Sequence, residues 1–243
     1  MRQLACSALM LLLVSAPASA GLTATERASF VGCKADGQVG PLKAPASGAA
    51  PLLPAPVARR LAYYRAPDGP GVLAPRGWHC FGLYGSNGSI LVVTPQQHIS
   101  ADFFGKRLFS TSESAVVLIY RDGGTSGRWA VAEAIARYFP EHRNFIRTNF
   151  QGLEIGPLPA GPYPQDRIIR RTSALVRFVT PPYRKGEGTS GYLSPNADPV
   201  DGIVKLIADP DGPELIEANV RIRRAPTALV SAILRQAQLE AGR

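Results

Sequence analysis

The sequence predicts an α+β domain: an antiparallel sheet of about five to seven strands, two main helices packed on it and an N-terminal arm tied by a disulfide. Three observations predict it. β-Branched and alternating stretches outnumber helical stripes. The elements run hairpin, strand, helix, then strand, hairpin, helix, which lacks the strict alternation of a doubly wound parallel sheet. Cys33 and Cys80 both outlast the processing expected at the N-terminus.

That processing is read from residues 1–20. Met1-Arg2 supplies a positive start, Leu9 to Val14 a short apolar centre, and Ala18-Ser19-Ala20 a small-x-small cleavage site. The expected mature chain begins at Gly21. The apolar run is shorter than the roughly 20 residues that span a bilayer, and no later stretch reaches that length. The expectation is a bacterial periplasmic or secreted protein with no transmembrane segment after cleavage. Cys6 leaves with the signal, and Cys33 and Cys80 are expected to pair in an oxidising compartment.

Residues 21–56 form the expected arm. Gly21 to Phe30 is read as one or two helical turns. Pro41 to Pro56 is almost entirely Pro, Ala, Gly, Ser and Leu, which buries too little side chain to offset its ordering entropy. It is expected to run extended over the surface, with Cys33 pinning its start. Residues 57–243 are the expected globular domain. Val57 to Arg65 fits helix and strand alike, and Pro67-Asp68-Gly69-Pro70-Gly71 forces a turn.

Trp78 to Tyr84 and Ser89 to Thr94 predict a hairpin around Asn87-Gly88. Trp78, Cys80, Gly82 and Tyr84 share one face; His79, Phe81 and Leu83 share the other. Ala115 to Tyr120 is a buried-strand run. Arg128 to Phe139 carries a helical stripe of Trp129, Ala132, Ile135, Ala136 and Phe139. Ile168 to Val179 reads as one alternating strand, and Pro181 to Asp201 as a long loop. Gly202 to Ala208 and Glu214 to Arg223 form a second hairpin. Pro226 opens a closing helix with Leu229, Ile233, Leu234 and Ala237 inward.

Few residues point to chemistry. The histidines are His79, His98 and His142, and no HxH, HxxxH or HExxH spacing occurs, so no metal site and no cofactor is expected. Gly-x-Ser-x-Gly is absent. Ser86 lies several strand residues from His79, roughly 20 Å along an extended chain, too far for a direct pair. His98 with Asp102 is conceivable as an oriented base. Gly-Thr-Ser-Gly occurs twice, at 124–127 and 188–191. Thr125 and Ser126 precede a helix N-terminus, where backbone N–H groups attract anions. Arg184, Lys185, Thr189 and Ser190 combine cations with flexible glycine, a combination suited to a phosphate or carboxylate.

The net charge of +9 is spread along the chain. It favours anionic envelope polymers over any nucleic-acid motif, of which the sequence has none. The expected function is a non-catalytic envelope protein that binds a partner protein or an anionic ligand. The alternative is a secreted hydrolase with His79, His98 or His142 as base.

Overall fold

A computed structural model describes residues 24–105, 109–153 and 156–240. The secretory signal read at 1–20 lies outside the described residues. The strands are β1 (Thr25–Arg27), β2 (Ser29–Gly32), β3 (Lys34–Gly37), β4 (Leu52–Pro54), β5 (Leu61–Arg65), β6 (Val72–Pro75), β7 (His79–Gly85) and β8 (Gly88–Thr94). They continue with β9 (Ala115–Arg121), β10 (Arg167–Arg171), β11 (Leu175–Thr180), β12 (Val200–Ile207) and β13 (Glu214–Arg221). The helices are α1 (Ala55–Ala58), α2 (Ser100–Phe103), α3 (Arg128–Tyr138), α4 (Arg143–Asn149) and α5 (Thr227–Leu239). None of them is long and apolar enough to cross a membrane.

The chain is mixed α and β with a sheet-rich core. The principal sheet has eight strands in the order β10-β11-β12-β13-β9-β8-β7-β3, more than the five to seven expected. All its pairs are antiparallel except β3 with β7 at the edge. Its outer strands are β3 (Lys34–Gly37) and β10, and strands beyond the expected set come from two places, one of them feeding the smaller sheets. The first is the N-terminal stretch read as helical turns: Thr25–Arg27 and Ser29–Gly32 are strands, and β2 runs parallel to β5 in a separate three-stranded sheet, β2-β5-β6. These segments are too short to hold a conformation alone, and their partners lie 25 or more residues away. The second is Ile168 to Val179, which folds back as β10 and β11. The hydroxyl of Thr172 accepts the N–H groups of Ala174 and Leu175 and turns the chain.

One face of the eight-stranded sheet meets the three-stranded sheet and α5. Leu91, Val93, Val116, Leu118, Ile216 and Val220 pack there against Leu61, Tyr63, Tyr64 and Leu73, with Leu229, Ile233, Leu234 and Ala237 from α5. These four helix positions are the inward set read from sequence. The opposite face meets α3 over β11–β13, and Phe103 and Leu193 over β8 and β9. In α3 the buried set is Val131, Ala132, Ala134, Ile135, Ala136 and Tyr138. Trp129 stands at the margin, 44% exposed, with its ring 4.6 Å from that of Phe150.

The β7–β8 hairpin forms with the predicted faces, but its turn is displaced by one residue. Gly85 pairs with Gly88, so Ser86 and Asn87 make the turn. Gly88 has φ 114°, and a Cβ there would collide with the carbonyl of Tyr120 on β9. The glycine therefore serves strand approach as well as turning.

Cys33 and Cys80 form a disulfide with Cα atoms 5.4 Å apart. Cys33 is the single residue between β2 and β3, where the chain passes from one sheet to the other. The bond ties that crossing to β7. The arm beyond β3 does not drift free: Leu42 and Ala35 exchange backbone hydrogen bonds of 2.8 and 3.2 Å across the outer edge of β3.

Candidate functional site

Strand β3 is four residues long and on β7 reaches only Phe81–Tyr84, so the first residues of β7 extend past it. That mismatch opens a groove of about 510 Å³ at the sheet edge. One wall is the β2–β3 crossing with Val31 and Lys34; another is Pro41 and Leu42 of the arm. The β7 wall carries Trp78, His79 and Cys80, and the loop into α2 supplies His98, Ile99 and Ser100. The volume lies within the roughly 300–1,000 Å³ of small-molecule sites.

Alternation places the polar groups. Lys34 and Asp36 on β3 share a face with His79 and Phe81 on β7, because paired residues of neighbouring strands point the same way. His79 and Lys34 are exposed. His98 is held by aromatic edges, its ring 4.8 Å from Phe109 and 5.9 Å from Phe103, and its Nδ1 lies 3.4 Å from Asp102 Oδ2. The acidic groups are engaged within the protein. Asp36 accepts the Ser100 hydroxyl and the N–H of Gly37; Asp102 accepts the N–H of Ile99 at 2.9 Å. Ser100 and His98 thus serve two different carboxylates, and neither bonds the other.

His79 and His98, separated by 19 positions, come to one groove. His142 does not join them: its Nε2 is 2.9 Å from the carbonyl of Ser173, beside a different cavity. Thr125 and Ser126 bond locally, Thr125 Oγ1 donating to the carbonyl of Asp122 and Ser126 sharing a hydrogen bond with Ser86. The Asp122 carboxylate already accepts the N–H of Gly124 in that loop. Arg184 and Lys185 are exposed. Thr189 donates to the Arg184 carbonyl, and Ser190 to that of Glu187.

The second Gly-Thr-Ser-Gly loop has another role. Asp166 accepts the Thr180 hydroxyl at 2.6 Å and the Glu187 N–H at 2.8 Å; Gly188 donates to Thr180. A Cβ on Gly186 would strike the Asp166 carboxylate, so only glycine permits this approach. The result is a one-turn 3₁₀ segment, Glu187–Thr189, that aims Glu187 inward. Tyr138 donates to Glu187 Oε2 at 2.8 Å, and Arg137 Nε lies 3.9 Å from the same oxygen. On the sheet below, Glu217 of β13 stands beside Arg121 of β9 and accepts the amide of Asn219. These groups surround a cleft of about 150 Å³ that opens between Glu133 and Ser190.

Burial raises the carboxyl of Glu217 to about 8, with the negative charge of Glu187 pushing the same way against the Asn219 hydrogen bond and Arg121. Burial also raises Glu187, opposed by the Tyr138 hydroxyl and Arg137. At neutral pH this pair holds a proton between deep carboxyls.

Sequence reasoning missed Lys34, Asp36 and Ser100, which carry no motif. It also missed Glu187, Glu217 and Arg121. The signal available for the last group was the alternation Leu215, Glu217, Asn219, Arg221 in a strand flanked by apolar partners. Comparison with protein-family models, curated proteins and solved structures returns no match for this chain.

Proposed function

We propose that this protein is an extracytoplasmic binding protein whose groove takes a small ligand with an apolar body and one anionic head, of the kind shed by membrane lipids in the cell envelope. One observation carries the reading: the groove joins apolar walls to the side chains of Lys34, His79 and His98, while its lining carboxylate, Asp36, turns both oxygens to internal hydrogen bonds. An anionic head therefore meets the donors of Lys34, His79 and His98, with the oxygens of Asp36 already turned to Ser100 and Gly37. The disulfide behind the groove fits an oxidising compartment, as does the secretory signal read at 1–20. The overall charge of +9 adds a long-range pull on anions.

The hydrolase reading draws less support, because hydroxyl and imidazole in the groove are bonded to separate carboxylates instead of each other. Calorimetric titration with decanoate tests the binding reading. Saturable binding that weakens about tenfold in Lys34→Ala supports it, since a charge-assisted hydrogen bond contributes about 1.5–3 kcal/mol. Equal binding of decanol and decanoate contradicts the anionic head.

A further inference from the structure

The cleft between α3 and the 187–192 turn lies outside the groove, and the reading above makes no use of it. Its polar groups have an unusual setting. β13 and β9 are central strands, and on the face that holds Arg121 and Glu217 their neighbours are Ile119, Val204 and Leu215. In the cleft, Nη1 of Arg121 is buried with no partner among the described residues, although the Tyr192 hydroxyl engages the same guanidinium; beside the cleft, Oδ1 of Asn219, a residue only 5% exposed, is unpaired as well. Native proteins leave few such atoms unpaired, and each asks for an explanation. Glu217 is enclosed deeply enough to lose its charge, yet it borders the cleft and keeps some solvent contact.

We infer that this cleft binds a small free amino acid, its carboxylate on Arg121 and its ammonium between Glu187 and Glu217. Three features select that class. The guanidiniums of Arg121 and Arg137 and the carboxyls of Glu133, Glu187 and Glu217 line one cavity, so a ligand that carries both signs of charge finds partners for each. The volume is about 150 Å³; a cavity of that size holds benzene, with about six non-hydrogen atoms, as many as alanine. Glu187 is fixed in advance by Asp166, Tyr138 and Arg137, so little ordering is required on binding.

Binding in the cleft carries a proton signature. Glu217 faces Glu187 and Asp166 from the loops, Arg137, Glu133 and the Tyr138 hydroxyl from α3, Arg121 from β9 and Asn219 from its own strand. Its raised carboxyl is protonated in the free protein at pH 7, and an arriving ammonium favours the ionised form. Binding therefore releases up to about one proton from Glu217 to solvent, and affinity rises from pH 6 toward pH 8.

The test is calorimetric titration of the full chain with glycine, L-alanine and D-alanine at pH 7, in buffers of different ionisation enthalpy. Expected are saturable binding of at least one probe, buffer-dependent heat from proton release, and loss of that release in Glu217→Gln. Because Arg121 variants threaten the core, Ser190→Trp at the exposed mouth serves as the second variant. It should block binding without lowering the melting temperature. Decanoate should not compete. Absence of binding at concentrations about tenfold above 1 mM overturns the inference. So does alanine binding that Glu217→Gln and Ser190→Trp leave unchanged.

Discussion

On one face of the eight-stranded sheet, Val116, Leu118, Ile216 and Val220 meet α5 and the three-stranded sheet through apolar side chains. On the other, the same strands set Arg121, Glu217, Asn219 and Arg221 into the covered layer, and at the sheet edge Lys34, Asp36 and His79 point to that same side. The contrast separates two tasks. The first face supplies burial, which is non-directional and tolerant of detail. The second holds groups whose value depends on specific partners, and unpaired ones are costly there. The groove takes Lys34, Asp36 and His79 from the second face, and the α3 cleft takes Arg121 and Glu217 from it.

Arg221 shows what the polar face does for structure. It is 1% exposed and donates to the carbonyls of Thr111, Glu113 and Ser194. It thus clamps two loops that cover the sheet. Arg221→Ala empties the site of a fully buried guanidinium and takes its donors from the carbonyls of Glu113 and Ser194, leaving that of Thr111 with the Ser194 N–H alone; it is expected to cost about 4–5 kcal/mol in urea unfolding. Arg221→Lys should recover only part, since an ammonium cannot span the fan. A cost below 1 kcal/mol would remove the contrast between the faces.

Opening the disulfide is next. A closed loop of 47 residues corresponds to about 4 kcal/mol in the chain-entropy model. Cys33→Ser should lose that much and weaken decanoate binding, because the β2–β3 crossing forms a groove wall. On the apolar face, Ile233→Ala should cost about 3 kcal/mol through transfer and cavity terms while decanoate binding stays intact.

The deep carboxyls sharpen the comparison by pH. Glu217 binds its proton more tightly folded than unfolded, so its contribution is full below the ordinary carboxyl value of 4.5 and fades as pH rises toward about 8. Stability to urea should therefore decline over that interval, and Glu217→Gln should flatten the decline. A stability that rises with pH there would contradict the burial of a neutral Glu217. Smallest of all, Arg184→Ala and Lys185→Ala should shift unfolding by less than about 0.5 kcal/mol, as exposed side chains outside the clamp.

Much of the apolar face was legible in sequence. The stripe Leu229, Ile233, Leu234, Ala237 and the run Ala115 to Tyr120 declare helix and buried strand by period alone, and the pairing of Cys33 with Cys80 followed from their number and the compartment expected from residues 1–20. The hairpin was legible too, displaced by one residue because Asn-Gly also suits a turn that ends at Gly88. The polar face was not. β1 to β3 owe their conformation to strands far along the chain, which no local window reveals. Alternation of Glu217, Asn219 and Arg221 ordinarily marks a solvent face, and only the packing of α3 and two loops buries it. His79 and His98 were picked out as residues, but their meeting in one groove depends on the shortness of β3.

The central claim is that the groove recognises an anionic head with Lys34 and the two imidazoles. The most direct measurement is decanoate affinity in the wild type and in Lys34→Ala/His79→Ala, with decanol as the uncharged control. The account predicts a loss of tenfold or more for decanoate and almost none for decanol, since only the charged head meets those donors. Equal losses for both ligands, or no loss for either, would contradict it.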